Sequence, residues 1–223
     1  MHLIQGQIGL PKMLKEELEA NVSRFVISPL PQGYGTTLGN TLRRVLLSSL
    51  PGAAVTGIKV KGVNYEYATI QGAKDSVLDI LLNLKQLKLS KSDIEPSFIT
   101  LKANKAGQVF ASAIECPTEV KILNPELLIT TIEKGSDLEI KIKVEKGVGY
   151  LTSNEIKDQN TEIDWIWTDA FFSPVKKVRF ETDHTRVGQQ TNLDKLILDV
   201  ETNGSITPED AIKFASNLMQ SYF

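Results

Sequence analysis

The 223-residue sequence predicts an α+β fold. Three observations carry that expectation. Short runs rich in β-branched and aromatic residues are separated by turn residues at the spacing of antiparallel strands. Only a few segments carry a helical period. Those helices do not alternate one for one with strands, as a doubly wound parallel sheet would require. The chain has no internal repeat and no low-complexity tract.

Taken in order, residues up to Val22 carry no clean period, and Leu10 to Ala20 reads equally as a short helix or an arm. Ser23 to Pro29 reads as a strand. Gly33 to Ser49 then joins a glycine-rich turn to an amphipathic helix. Thr37 is the expected N-cap, its hydroxyl accepting from an orphan N–H of the first turn, and Pro51-Gly52 closes the helix. At about 100° per residue, Leu38, Leu42, Val45 and Leu46 fall on one side, and Thr37, Asn40, Thr41, Arg44 and Ser48 on a second. Leu47 and Arg43 point elsewhere. A helix of this kind makes two contacts at once, and the residues leave phosphates and proteins both open as partners.

Ala53 to Val63 alternates, with Ile58 and Val60 on one face. Asn64 to Ile70 reads as a second strand with Tyr65 and Tyr67 on one side. Asp75-Ser76 opens a helix that Val77, Leu78, Ile80, Leu81, Leu82, Leu84 and Leu87 make apolar almost all round, the pattern of a buried helix. Strands follow at Phe98–Leu101, Gln108–Ala111 and Glu119–Ile122, with turns at Asn104–Gly107 and Cys116-Pro117. Leu127–Glu133 and Leu138–Val144 read as an antiparallel pair around Gly135-Ser136. Lys146 to Tyr150 ends the second of them. Thr152 to Thr161 is expected as an exposed loop, and Ile163 to Phe172 holds Trp165 and Trp167. Lys176–Asp183 and Leu193–Glu201 read as strands, and Thr202–Ser205 as a turn.

The last helix has the clearest start: Thr207 as N-cap, Pro208 at the first helical position, and Glu209 and Asp210 at the positive end of the dipole. Ala211, Ala215, Leu218, Met219 and Tyr222 form one stripe, with Ile212 and Phe223 beside it. Glu209, Lys213, Asn217 and Gln220 form the opposite face. Such a helix docks either on its own domain or on a partner. Phe223 falls on the apolar side, so the natural polypeptide is expected to continue.

Composition narrows the function. Lys and Arg number 25 against 27 Asp and Glu, for a net charge of -2, which argues against autonomous nucleic-acid binding. One cysteine, Cys116, forms no intrachain disulfide, fits a reducing compartment and is expected to be structural. No apolar run approaches the roughly 18 residues of a membrane span, and the acidic start with Glu16, Glu17 and Glu19 does not read as a signal peptide. A cytosolic, soluble protein is expected. His2 and His184 are too isolated for a metal site. Asp183, His184 and Ser173 lack the elbow motif of a hydrolase triad, so Asp183 to Arg186 is read as a polar loop. Lys176, Lys177 and Arg179 near Phe171, Phe172 and Phe180 hint at single-strand binding, but strand alternation explains them as well. No catalytic residue, metal or cofactor is expected. Gly33-x-Gly35 after a strand suggests a dinucleotide loop, yet the third glycine, Gly39, comes one position late and no acidic residue stands about 20 positions on. A small nucleotide-binding enzyme using Gly33–Gly39 is the alternative from another class; a DNA-binding regulator is a second.

Six segments, in order and at matching spacing, resemble the N-terminal domain of the alpha subunit of bacterial-type RNA polymerase. They are Leu30–Ser49, Tyr65-Glu66-Tyr67, Asp79–Lys85, Gly147-Val148-Gly149-Tyr150, Phe172-Ser173-Pro174-Val175, and Leu193-Asp194-Lys195-Leu196 with Glu201-Thr202-Asn203-Gly204. The resemblance implies a non-catalytic scaffold of a nucleotidyltransferase that works in transcription, in the bacterial cytoplasm with the nucleoid or in a plastid. It implies a discontinuous dimerisation domain, residues 1–48 and 176–223, made of a sheet plus two helices, with a mostly antiparallel β domain inserted at 49–175. The implied homodimer interface draws on Leu38, Leu42, Val45, Leu46, Ala215, Leu218, Met219 and Tyr222. The implied binding surface for the large beta and beta-prime subunits draws on Thr37, Asn40, Arg44, Ser48, Leu193, Asp194 and Lys195. No direct DNA or membrane contact is implied. The family often has a basic residue at Val148 and at Gln190 and an acidic one at Asn192; Trp165 and Trp167 are unusual for it.

Overall fold

Two stretches far apart in sequence, Val22–Leu30 and Gln190–Thr202, lie side by side as antiparallel strands, with Phe25 opposite Leu198 and Ser23 opposite Val200. The computed structural model in which this is seen describes residues 9–222, apart from 64, 134–136, 161 and 163. His2, Asn64, the Gly135-Ser136 turn, Thr161, Ile163 and Phe223 therefore lie outside the described residues. The chain divides into two units, one from the chain up to Leu50 and from Pro174 onward, the other from Pro51 to Ser173.

The first unit holds β1 (Lys12–Glu19), β2 (Val22–Leu30), α1 (Tyr34–Ser48) and, from the far end of the sequence, β14 (Val175–Val187), β15 (Gln190–Thr202) and α4 (Pro208–Tyr222). Its strands form one antiparallel sheet in the order β1-β2-β15-β14. Alternation on β15 buries Leu196, Leu198 and Val200 on one face, as the period of two requires. The two helices close over that face: Leu42 and Leu46 of α1 and Ala211, Ile212 and Ala215 of α4 share a core with Phe25, Leu30, Leu50 and Val178. At α4 the hydroxyl of Thr207 accepts from Asp210 N–H at 3.1 Å, the expected cap.

The start of α1 differs from expectation. The helix begins at Tyr34, and the capping position is Gly33, in the left-handed region at φ 84° that favours glycine. Thr37 lies inside the first turn, where its hydroxyl donates to the Gly33 carbonyl at 3.2 Å and caps nothing. The glycine spacing has its own reason. A Cβ at Gly39 would stand 2.5 Å from the Phe180 ring and 2.9 Å from Leu196, and one at Gly35 would meet the Thr182 methyl and lie 3.2 Å from Asp194 Cβ. The glycines let a helix lie close on β14 and β15.

Two further expectations change in this unit. Leu10 to Ala20 is neither helix nor arm: β1 pairs with β2, Met13 opposite Ile27 and Lys15 opposite Phe25. As an edge strand exposed along its whole length it lacks the alternation that marks a half-buried strand. Asp183 to Arg186 is strand, with His184 opposite Asp194 and Thr185 opposite Leu193. Asp183, His184 and Arg186 are exposed, so their polarity fits a strand as well as a loop.

In the second unit, β3 (Pro51–Val60), β4 (Leu89–Lys91), β5 (Ser97–Ala103), β7 (Ile114–Glu115), β8 (Val120–Ile122) and β10 (Leu138–Val148) make a sheet ordered β7-β5-β10-β3-β4-β8. Helix α2 (Val77–Leu84) sets Val77, Ile80, Leu81 and Leu84 into its core with Ile58, Ile99, Leu101, Ile140 and Ile142. Its start is a capping box between Ser76 and Asp79. Leu82 remains 49% exposed, so the helix is not buried all round as its composition suggests.

Strand β9 (Leu128–Ile132) pairs with β6 (Gly107–Phe110), Thr131 opposite Gln108, instead of with β10. Both edges of β10 are already taken, by β3 and β5. Residues 65–70 form no strand; Thr69 makes only an isolated bridge to Ser76. The expected loop after Thr152 contains helix α3 (Ser153–Gln159), opened by a second capping box between Thr152 and Glu155 and anchored by buried Ile156. Short strands β11 (Tyr150–Leu151) and β13 (Ala170–Phe171) pair with each other, and β12 (Ile166–Trp167) adds to β3. Gly57 leaves room for Trp167, whose ring a Cβ there would approach to 2.7 Å. Trp165 and Trp167 stack at 5.7 Å, and the Lys143 ammonium sits 5.1 Å from the Trp167 ring, which gives the two tryptophans a packing role.

Gly39→Ala is expected to destabilise the protein. The methyl gains up to about 1 kcal/mol of helix propensity but overpacks the α1 contact with Phe180 and Leu196, which costs about 1–3 kcal/mol. Urea unfolding reads the outcome as a lowered midpoint.

Candidate functional site

The distinctive residues of the first unit gather on α1, on α4 and at the α1 end of β15. The N–H groups of Gly33 and Gly35, orphan donors at the start of α1, both donate to one oxygen of the Asp194 carboxylate, at 2.8 and 3.1 Å. A carboxylate from β15 thus stands where a phosphate would stand in a nucleotide-binding turn. The alternative of a nucleotide enzyme on Gly33–Gly39 fails here, because the anion position is filled from within the chain.

The residues of the implied dimer interface separate into three groups. Leu42, Leu46 and Ala215 are buried in the unit's own core, so they offer nothing to a second molecule. Leu38, Val45, Leu218 and Met219 are half-buried. Tyr222 is 77% exposed. Phe214, which the sequence pattern missed because it falls between the two faces drawn for the last helix, is 39% exposed and adds to the apolar surface of α4. Leu47 is half-buried as well.

The residues of the implied large-subunit surface also divide. Thr37, Asn40, Arg44 and Ser48 are exposed along α1. The Thr41 hydroxyl donates to the Thr37 carbonyl, and the Ser48 hydroxyl to that of Arg44, each at 2.8 Å. Neither Arg43 nor Arg44 has an ion-pair partner among the described residues. Leu193 and Asp194 are buried within the chain, at 3% and 4% exposure, and cannot present their side chains to a partner as they stand. Lys195 is half-buried and bridges to Asp183 at 2.8 Å. That hydrogen bond, then one from His184 N–H, holds the Asp183 carboxyl below its usual range.

Other features read from sequence resolve on the same strands. Asp183 is engaged by the Lys195 ammonium and by the His184 backbone N–H. Lys177 and Arg179 are exposed, while Phe180 points the opposite way, toward Gly39 of α1, so that ring and these cations lie on opposite faces of β14. Arg24 and Asp199 form a two-point ion pair on the face away from the helices, at 2.7 and 3.0 Å. Cys116 is exposed rather than packed into a core. Among the described residues no cluster of His, Cys, Asp or Glu could hold a metal ion, and no helix is long and apolar enough to cross a membrane.

Side chains arrayed on helix faces, with a glycine turn closed by an internal carboxylate, define an α+β protein of the interaction class. The family model of the RNA polymerase Rpb3/RpoA insert domain matches residues 58–173, which lie within the second unit. The chain is 46% identical over 213 residues to the DNA-directed RNA polymerase subunit alpha of Moorella thermoacetica, covering 96% of this chain and 68% of that protein. It is 47% identical over 199 residues to the subunit of the same name from Symbiobacterium thermophilum (89% of this chain, 63% of that protein) and 42% identical over 221 residues to that of Synechocystis (99% and 70%). The chain belongs to the RNA polymerase alpha-subunit family. It spans about two thirds of the length of these relatives, between 63% and 70%.

The Arg24 guanidinium, by hydrogen bond first, holds the Asp199 carboxyl below its usual range. A carboxyl lowered in the folded state adds stability above the unfolded value of about 3.9 and loses it as pH falls through the folded value. Arg24→Gln is therefore expected to be less stable than the natural chain at pH 7, with the gap closing as pH falls below about 4. Urea unfolding across pH tests it; a gap that persists unchanged at pH 2 contradicts it.

Proposed function

We propose that the chain is a non-catalytic assembly scaffold of DNA-dependent RNA polymerase, which pairs with a second copy of itself and then receives the large beta and beta-prime subunits. The names of the relatives support the polymerase reading. One observation carries the scaffold reading: after its own core is complete, the first unit keeps an apolar helical surface and an exposed arginine helix face. Leu38, Val45, Phe214, Leu218, Met219 and Tyr222 supply the apolar part. A two-fold pair would bury that surface against itself, the same patch serving on both copies. Large apolar side chains left exposed together on helices mark protein contacts when they join into a patch.

Arg44 and its neighbours Thr37, Asn40 and Ser48 form the polar side of α1, which we assign to a large subunit. A guanidinium with no ion-pair partner among the described residues suits carboxylate and carbonyl acceptors on another protein. The half-buried Lys195 is the part of the 193–195 segment that remains able to meet a partner. This role places the chain with transcription, in the cytoplasm or in a plastid.

Two variants separate the functions. Leu218→Glu sets a charge in the apolar contact and is expected to weaken self-association at least about tenfold, read by size-exclusion chromatography over a dilution series. Arg44→Ala is expected to leave the dimer intact and weaken capture of the beta subunit by about tenfold in a titrated pull-down. Unchanged capture would remove the polar face of α1 from the partner surface.

A further inference from the structure

We propose that Asp194 is a built-in anion that fixes α1 on its sheet, and so positions the Arg44 face for a partner without touching the partner itself. The inference rests on the reading of that face as a partner surface. Asp194 is 4% exposed, which leaves it no surface for direct contact. One of its oxygens receives both Gly33 N–H and Gly35 N–H. These donors carry the positive end of the helix dipole, and a negative group placed there is favoured electrostatically as well as by the hydrogen bonds.

The dock has three points along one helix. Asp194 grips the first turn, Gly35 seats against Thr182 and the Asp194 Cβ, and Gly39 seats against Phe180 and Leu196. All the partners lie on β14 or β15. Arg44 is nine residues beyond Gly35, about 14 Å along the axis at 1.5 Å per residue, so a small tilt at the first turn displaces its guanidinium more than the nearer Thr37 and Asn40. On the sequence Asp194 belongs with Leu193 and Lys195 as a contact residue; its geometry makes it a positioning residue.

Full-length Asp194→Ala and Asp194→Asn test this. The asparagine keeps an oxygen able to accept both N–H groups; the alanine keeps none. Amide hydrogen exchange at Gly33 and Gly35 is read together with titrated capture of the beta subunit, in sodium formate and in sodium chloride at equal ionic strength. In Asp194→Ala, exchange at both glycines is expected to rise about tenfold or more and capture to fall about tenfold, with the dimer kept. Formate, a carboxylate small enough to replace the lost one, reverses both changes; chloride does not. Asp194→Asn, which keeps the acceptor but not the charge, stays closer to the natural level than Asp194→Ala in both readouts. Natural capture by Asp194→Ala, while Arg44→Ala loses it, overturns the positioning role alone. Natural capture by both variants overturns the polar-face reading and the positioning role with it, while formate-reversible exchange still marks the built-in anion. If the alanine variant does not fold, the asparagine variant decides: protected amides with full capture support the proposal, and protected amides with lost capture overturn it.

Discussion

The pairing of β2 with β15 is the contact on which the first unit depends. It joins residues more than 160 positions apart, such as Leu30 and Asp194. Closing so long a loop costs little more than closing a shorter one, because the entropic cost grows only with the logarithm of length. Once the two strands are paired, Phe25, Leu196, Leu198 and Val200 present one apolar face, and both helices have a surface to bury. Neither helix would be stable alone in water at 15 residues.

How closely α1 approaches this sheet decides what remains for function. The Gly35 and Gly39 contacts bring its backbone down onto Thr182, Phe180 and Leu196, so a narrow strip, Leu42 and Leu46, is enough to complete the core. The apolar residues flanking that strip stay half-exposed, as do Leu218 and Met219 on α4. The surface assigned to a second copy therefore flanks the strip that closes the core, and the exposed Arg44 row follows from the same helix register.

Much of this was legible because period and capping are local. The alternation of β10 and β15, the Thr207-Pro208 start of α4 and the Ser76 start of α2 all follow from neighbours in sequence. Residues whose role depends on a distant strand were not legible. Asp194 carries no mark that its carboxylate caps a helix 160 positions away; beside Leu193 and Lys195 it reads as a contact residue. The Gly33–Gly39 spacing looked like a phosphate turn because the helix start it serves is the same physical device. The partition of Leu42 from Leu38 needed the position of the sheet. Helix α3 was a different case: Thr152 and Glu155 spell a local capping box, and its polar composition hid it.

Sedimentation equilibrium of the unmodified chain, over roughly two decades of concentration around the micromolar range where many specific pairs form, tests the central claim most directly. A surface left apolar by the docking of α1 and α4 predicts twice the protomer mass, falling only on dilution. A single-protomer mass throughout, with Phe214 and Tyr222 freely reactive to solvent probes, would contradict it.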